Sequence, residues 1–243
     1  MSTTATKRSY ADALRDAEAF RDLFPRGSYA DWEIAGSLRR RKSEVGDVEH
    51  VVMPQFAART VPGDGLFASS VTETVNLVWH RLDELVADGT VAKHVYSTRI
   101  DPNVTFKRGD DFKANGPAKE IPVYRWGDKY RGVDFRGFNH EIFMAAADNW
   151  GSVLAIRTGP AEYSQWLVTR LRGQNRRNKD GKVWRCEPCS QIGAPGHGAL
   201  CGDCQGTNLK PAEVIPAPDE ATYFQLCGIP FLEPQERKEP SRW

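Results

Sequence analysis

No apolar run in this chain approaches the ~18 residues that a membrane-spanning helix requires, so a membrane is not an expected partner. The first residues, Met1 to Arg8, are polar and lack the apolar stretch of a secretory leader, and the expected location is cytoplasmic. Cysteine is scarce. There are 5, an odd number, which without a leader argues against a disulfide framework. Charge of one sign is not in excess either: 33 Lys and Arg stand against 32 Asp and Glu, so the net charge of +1 neither favours nor excludes a polyanionic partner. Internal repeats and low-complexity tracts are absent. What is present is the composition of an ordinary globular protein, 40% hydrophobic and 27% charged, over 243 residues. That length supports one large domain or two small ones with a real core.

Ser9 is placed to cap a helix from Tyr10 to about Phe24, whose apolar residues follow helical spacing and which Pro25 and Gly27 end. Trp32 to Ala35 and Val45 to Met53 read as strands around a turn and helix start at Gly36 to Arg41. A longer helix is expected over Val71 to Ala87, stopped by Gly89. Val91 to Ile100, Ile121 to Trp126 and Tyr130 to Phe135 are strand-like, with a long polar loop, Asp101 to Lys119, between the first two. Ala145 to Ile156, Ala161 to Arg172 and Asp219 to Leu226 look helical. Strands mixed with segregated helices point to an α+β fold.

The segment from Glu33 to Glu49 holds most of the chemistry. Side chains alternate along a strand, so Asp47 and Glu49 share a face. Two carboxylates on one face repel each other, and a hard divalent cation such as Mg²⁺ relieves that repulsion. Just upstream, Gly36 permits close backbone approach, Ser37 offers a hydroxyl and an amide, and a helix starting there favours phosphate. Arg39, Arg40, Arg41 and Lys42 add positive charge beside it. A lone Asp-x-Glu or a lone Gly-Ser is most often a solvated surface feature; the two at this separation, with arginines between, are far more specific.

Cys186-x-x-Cys189 and Cys201-x-x-Cys204, eleven residues apart, are two knuckles that can close a tetrahedral four-thiolate site around one structural Zn²⁺. His197 lies in the loop between them, and Cys227 sits in an apolar context expected to be buried. Leading into this module, Arg170, Arg172, Arg176, Arg177, Lys179, Lys182 and Arg185 stand against one acid, Asp180, with Trp166 and Trp184 interleaved. Such a run suits a surface that tracks nucleic-acid phosphates; the alternative is a solvated helix end before a stabilising zinc loop.

Gly36-Ser37, the arginines and the Gly46-Asp47-x-Glu49 strand resemble the signature of the polymerase beta-like nucleotidyltransferases, and Glu33 to Lys42 is similar to family X DNA polymerases in particular. Two further stretches agree in order. Asn149 to Gly159, ending in Ile156, Arg157, Thr158 and Gly159, resembles the family's nucleotide-holding helix, and Phe224 to Arg237 resembles its C-terminal ending.

The resemblance implies a nucleotidyltransferase palm with a mixed sheet over residues 29–158. An N-terminal helix, residues 1–28, would be a remnant of the fingers, and residues 159–243 would form a thumb-like part carrying the zinc module at 185–205. It implies two-metal transfer of a nucleotide from a nucleoside triphosphate to a primer 3′-hydroxyl. Asp47 and Glu49 would bind two Mg²⁺ or Mn²⁺ ions with Asp134 as third acid, and Ser37 and Arg40 would touch the triphosphate. The expected partner is primer–template or gapped DNA, bound by a monomer. Departures from the pattern are Glu49 for the usual Asp, Ile156 and Arg157 for an aromatic pair that bears on ribose exclusion, and Ser164 for an Asn. With one helix ahead of the signature, the family's lyase and helix-hairpin-helix modules are not expected. Template-independent or RNA nucleotidyl transfer, and a non-catalytic nucleic-acid-binding protein, are the alternatives.

Overall fold

The computed structural model describes residues 7–61, 70–100, 120–189 and 209–238. Its elements are β1 (Arg8–Ser9), α1 (Tyr10–Arg21), β2 (Tyr29–Ile34), α2 (Gly36–Arg39), β3 (Glu44–Val45), β4 (Val48–Pro54), β5 (Phe56–Val61), β6 (Val71–Asn76), α3 (Leu77–Ala87) and β7 (Ala92–Lys93). They continue with β8 (Val95–Ile100), β9 (Glu120–Tyr124), β10 (Tyr130–Phe135), β11 (Phe138–Met144), α4 (Trp150–Thr158), α5 (Ala161–Arg172), β12 (Arg176–Lys179), β13 (Lys182–Pro188), β14 (Leu209–Ile215) and α6 (Glu220–Leu226). The fold is α+β.

The centre is a five-stranded sheet in the order β2-β4-β11-β10-β7. Only the β4–β11 pair is parallel; the others are antiparallel. One face packs against α1 and α3 through Phe20, Trp32, Val52, Leu82, Val133 and Ile142. Within that core Trp32 donates its indole N–H to His50 Nδ1 at 3.0 Å, and His50 Nε2 meets His140 Nδ1 at 3.1 Å. Because an indole can only donate, His50 Nδ1 must be the acceptor, and its proton sits on Nε2, pointing at His140. Burial drives both rings neutral, His50 far below its usual value and His140 down to about 3. The pair ties β2, β4 and β11 together directly behind the opposite face, where the acidic residues lie.

On that opposite face Val51, Phe143 and Ala145 pack against Val153 and Leu154 of α4. A second core joins α4, α5, α6 and β13 through Ala155, Leu167, Leu171, Val183, Tyr223 and Phe224. Cys227 is fully buried there and its thiol is pushed up to about 12 by burial. The three-stranded sheet β12-β13-β14 flanks this core.

Several elements differ from the sequence reading. Val71 to Asn76 is a strand, paired with β5 from Val61↔Val71 to Phe56↔Asn76, and the helix begins only at Leu77. The Val-Thr-Glu-Thr-Val stretch is β-branched at every position but one and pairs readily. Asn76 ends it by accepting the amides of Val78 and Trp79 at 3.0 and 3.1 Å. The helix expected from Ala145 starts at Trp150. Strand β11 went unread. It follows β10 through a two-residue turn at Arg136 and Gly137, both with positive φ (52° and 71°), the backbone twist that a tight hairpin requires. The loop expected at Asp101 to Lys119 lies outside the described residues.

Candidate active site

The Gly36 turn is shaped by Glu49. Gly36 has φ +63°, and a Cβ there would strike the Glu49 carboxylate, so glycine is needed for both reasons. The short α2 that follows has intrinsically unpaired first-turn amides, and Ser37 Oγ is buried with no partner among the described residues. Ala35 N–H donates to the Glu49 carbonyl at 2.8 Å, which locks this turn onto β4.

Asp47 precedes β4 and Glu49 lies within it, on the face away from the helical core. Glu49 is the register partner of Glu141 on β11, so these two carboxylates stand side by side. Burial raises the Asp47 carboxyl above its usual range, and Glu141 adds to this against the pull of Arg40 and His94. Glu49 is pushed up to about 8, first by burial and then by Asp47, with Glu141 contributing and Arg157 and Arg40 opposing. Glu141 accepts the hydroxyls of Tyr96 and Tyr130 at 3.0 and 2.8 Å. Gly132 opposes Glu141 on β10, and its missing side chain is what lets the Tyr96 hydroxyl in: a Cβ there would collide with it.

Asp134 lies on the same face, one strand beyond Glu141, opposite Asn139. Its carboxylate is bound to His94 Nδ1 at 2.7 Å. The geometry therefore groups Asp47, Glu49 and Glu141 more closely than Asp47, Glu49 and Asp134. Glu141 was not singled out from sequence because its strand was not recognised. The signal available was the positive-φ-tolerant Arg136-Gly137 pair between two runs of alternating side chains.

As the side chains stand, no three His, Cys, Asp or Glu residues among those described are gathered closely enough to hold a metal ion. The residues nevertheless fit a hard divalent cation. Three oxygen donors share one face, two of them with raised proton affinity, and the nearby cation Arg40 is itself destabilised by burial.

The residues expected to hold the nucleotide divide. Arg40 donates to the Thr158 carbonyl, while its Nε has no partner among the described residues. Arg39 reaches the Thr158 hydroxyl at 3.0 Å and grips Glu220 with two bonds of 2.8 Å. The buried Arg237 donates to the same Glu220 at 2.7 Å. Burial alone would raise the Glu220 carboxyl, but these two arginines outweigh it and hold it low. Thr158 and Arg39 thus fasten α2 to α4, α6 and the C-terminal segment. Arg157 lies 3.7 Å over the Phe143 ring and faces Glu49. The Ile156 carbonyl accepts the Ser164 hydroxyl at 2.6 Å. Gly159 is half-buried, and a Cβ there would crowd Tyr163 and Ser164.

Among the basic residues of 170–185, Arg176 is bonded to the Leu226 carbonyl at 2.7 Å, Lys182 to Asp148 at 2.6 Å, and Arg185 to Glu213. Arg170, Arg172 and Lys179 are exposed and Arg177 is half-buried. Cys186 follows a β-bulge in β13 and Cys189 is buried at its end; Cys201, Cys204 and His197 lie outside the described residues. The pairing Pro188↔Leu209 brings the two ends of the segment that carries those cysteines together. A cavity of about 1110 Å³, bounded by Pro54, Trp79, Met144 and Trp184, sits at the other end of β4 and β11 and shares no residue with the carboxylate face.

No protein-family model matches the chain, and no curated protein matches it. No described helix is long and apolar enough to cross a membrane.

Proposed function

We propose that the chain is a metal-dependent nucleotidyltransferase with a palm of the polymerase beta-like kind. Within that class, the reading that fits best is a DNA polymerase resembling family X, extending a primer 3′-hydroxyl from a deoxynucleoside triphosphate. The observation that carries it is the register of Glu49 with Glu141 on adjacent parallel strands, with Asp47 on the same face and the Gly36-Ser37 turn beside them. Asp47, Glu49 and Glu141 would hold the divalent cations, Glu141 taking the place expected for Asp134. When bound, the cations would supply charge neutralisation for the triphosphate and lower the proton affinity of the attacking hydroxyl.

The chain's own groups account for the rest. Ser37 Oγ and the first-turn amides of α2 offer donors to phosphate oxygens. Arg40, whose Nε has no partner among the described residues, would add charge on the same side. Arg157, whose guanidinium lies over the Phe143 ring, would add charge beside Glu49. The Ile156 carbonyl, fixed by Ser164, gives a rigid wall at the position where the family pattern discriminates sugars, so exclusion of ribose would depend on backbone and not on an aromatic ring. The Cys186, Cys189, Cys201 and Cys204 set would hold one structural Zn²⁺.

The test is extension of a labelled primer with Mg²⁺ and a single deoxynucleoside triphosphate, with and without template. Asp47→Asn and Glu141→Gln are each expected to reduce incorporation at least a thousandfold, and Asp134→Asn less than tenfold. Full activity in Glu141→Gln would overturn the three-carboxylate assignment, and template-independent addition would move the reading to a terminal transferase.

A further inference from the structure

A nucleotidyl acceptor must approach opposite the leaving pyrophosphate, because attacking and departing oxygens lie roughly in line. The triphosphate side is set by Gly36, Ser37 and Arg40, next to β4. The acceptor side is therefore the far side of Glu141, over β10 and β7. There the chain leaves the sheet at His94 and runs into the β8–β9 ribbon, which joins no other sheet among the described residues. His94 N–H still donates to the Gly132 carbonyl at 3.0 Å, and Arg125, just after the ribbon, accepts the Gly132 N–H at 3.3 Å. Both ribbon ends are thus pinned to one residue of β10, the one facing Glu141.

Three side chains result from this pinning. Tyr96 lies over Gly132 with its hydroxyl on Glu141. Arg125 is exposed, and its guanidinium stacks 4.2 Å above the Tyr96 ring. No carboxylate among the described residues forms an ion pair with it, and its hydrogen-bonding neighbour is the Tyr130 hydroxyl. His94, in edge-on contact with Tyr96 at 4.6 Å, has its Nδ1 bonded to Asp134. A guanidinium placed over a ring, exposed and with no carboxylate on it, keeps N–H donors available for an anion. An acid-lined site repels a polyanionic strand, and a cation at its acceptor rim offsets that repulsion. The basic run at 170–185 is a weaker candidate for this role, since Arg176, Lys182 and Arg185 already have partners.

We propose that Arg125, stacked on Tyr96 and flanked by His94, is the subsite that takes the 3′-terminal phosphodiester of a nucleic-acid acceptor strand. This rests on the nucleotidyltransferase reading for the direction of approach, but the binding itself needs no catalysis. Two measurements on the full chain separate them. Anisotropy of a labelled oligodeoxythymidine, in EDTA at low salt, reads binding alone. Steady-state extension reads KM for primer and for deoxynucleotide separately. Arg125→Gln is expected to weaken oligonucleotide binding and raise the primer KM about tenfold, with the nucleotide KM within twofold and the melting temperature unchanged. Arg125→Lys, which keeps the charge without the fork, should recover part of the loss.

Unchanged anisotropy and primer KM in Arg125→Gln overturn the subsite even if the wild type is an active polymerase. Equal rises in both KM values overturn it too, since they point to a general disturbance of the site. A wild type that incorporates nothing refutes the polymerase reading instead, and the anisotropy comparison still decides the subsite.

Discussion

Glu49 links stability, pH and metal binding in one measurable quantity. Its carboxyl has an ordinary value of 4.5 and is pushed up to about 8 in the folded chain, mainly by burial and then by Asp47. Below pH 4.5 the group is neutral whether the chain is folded or not, and it has no effect. Above that, the unfolded chain loses the proton while the folded chain keeps it, so the unfolded state binds fewer protons and stability falls as pH rises. The slope is at most about 1.4 kcal/mol per pH unit, and the fall levels off near the folded value. Between pH 6 and pH 8 the expected loss attributable to Glu49 is therefore about 2 kcal/mol. Glu49→Gln removes the ionisation and keeps the shape. In EDTA the variant should melt higher than wild type, by a margin that grows between pH 6 and pH 8 by roughly 4–8 °C. Saturating Mg²⁺ should raise the wild type more at pH 8 than at pH 6 and leave the variant nearly unmoved. A margin that does not depend on pH would refute the view that burial keeps the proton on Glu49 against the pull of Arg157 and Arg40. A variant that responds to Mg²⁺ as the wild type does would show that the cation binds elsewhere.

Other outcomes follow from the same geometry. Gly36→Ala should destabilise the chain and abolish incorporation, because the new Cβ meets the Glu49 carboxylate at a positive φ; a variant with wild-type melting temperature and activity would remove Gly36 from the site. Glu220→Ala leaves the buried Arg237 without its carboxylate and should cost about 3–5 kcal/mol in chemical denaturation, whereas a loss below about 1 kcal/mol would mean the cluster is solvated. Metal analysis of purified protein should find about one zinc per chain, lost in Cys186→Ser and in Cys204→Ser alike. Zinc retained in both variants would refute four-cysteine ligation.

The sequence alone carried the parts of the site that are local in the chain. Asp47 and Glu49 could be placed on one face because a strand alternates with period two, and Gly36, Ser37 and the arginines sit within one short turn of them. Ser9 and the helix it caps were readable for the same reason: a cap bonds three residues ahead and no further. Local pattern misled at Val71 to Asn76, where the apolar spacing also fits a helix and only pairing with β5 makes it a strand.

Tertiary structure decided what depends on distant partners. Strand β11 alternates buried Phe138, His140 and Ile142 with half-buried Asn139 and Glu141, but the buried His140 is polar and Phe143 is buried on the other face, so in sequence the alternation is blurred. Glu141 was hidden with it, since a parallel register between β4 and β11 is fixed by packing and by the His50–His140 contact, not by sequence spacing. The basic run at 170–185 was legible as composition, yet which of its charges are engaged is set by Asp148, Leu226 and Glu213, which lie elsewhere in the chain. Arg125 gave no signal in sequence for the converse reason. Its place beside the carboxylates exists only because Gly132 admits Tyr96, and Tyr96 supports the guanidinium above the sheet.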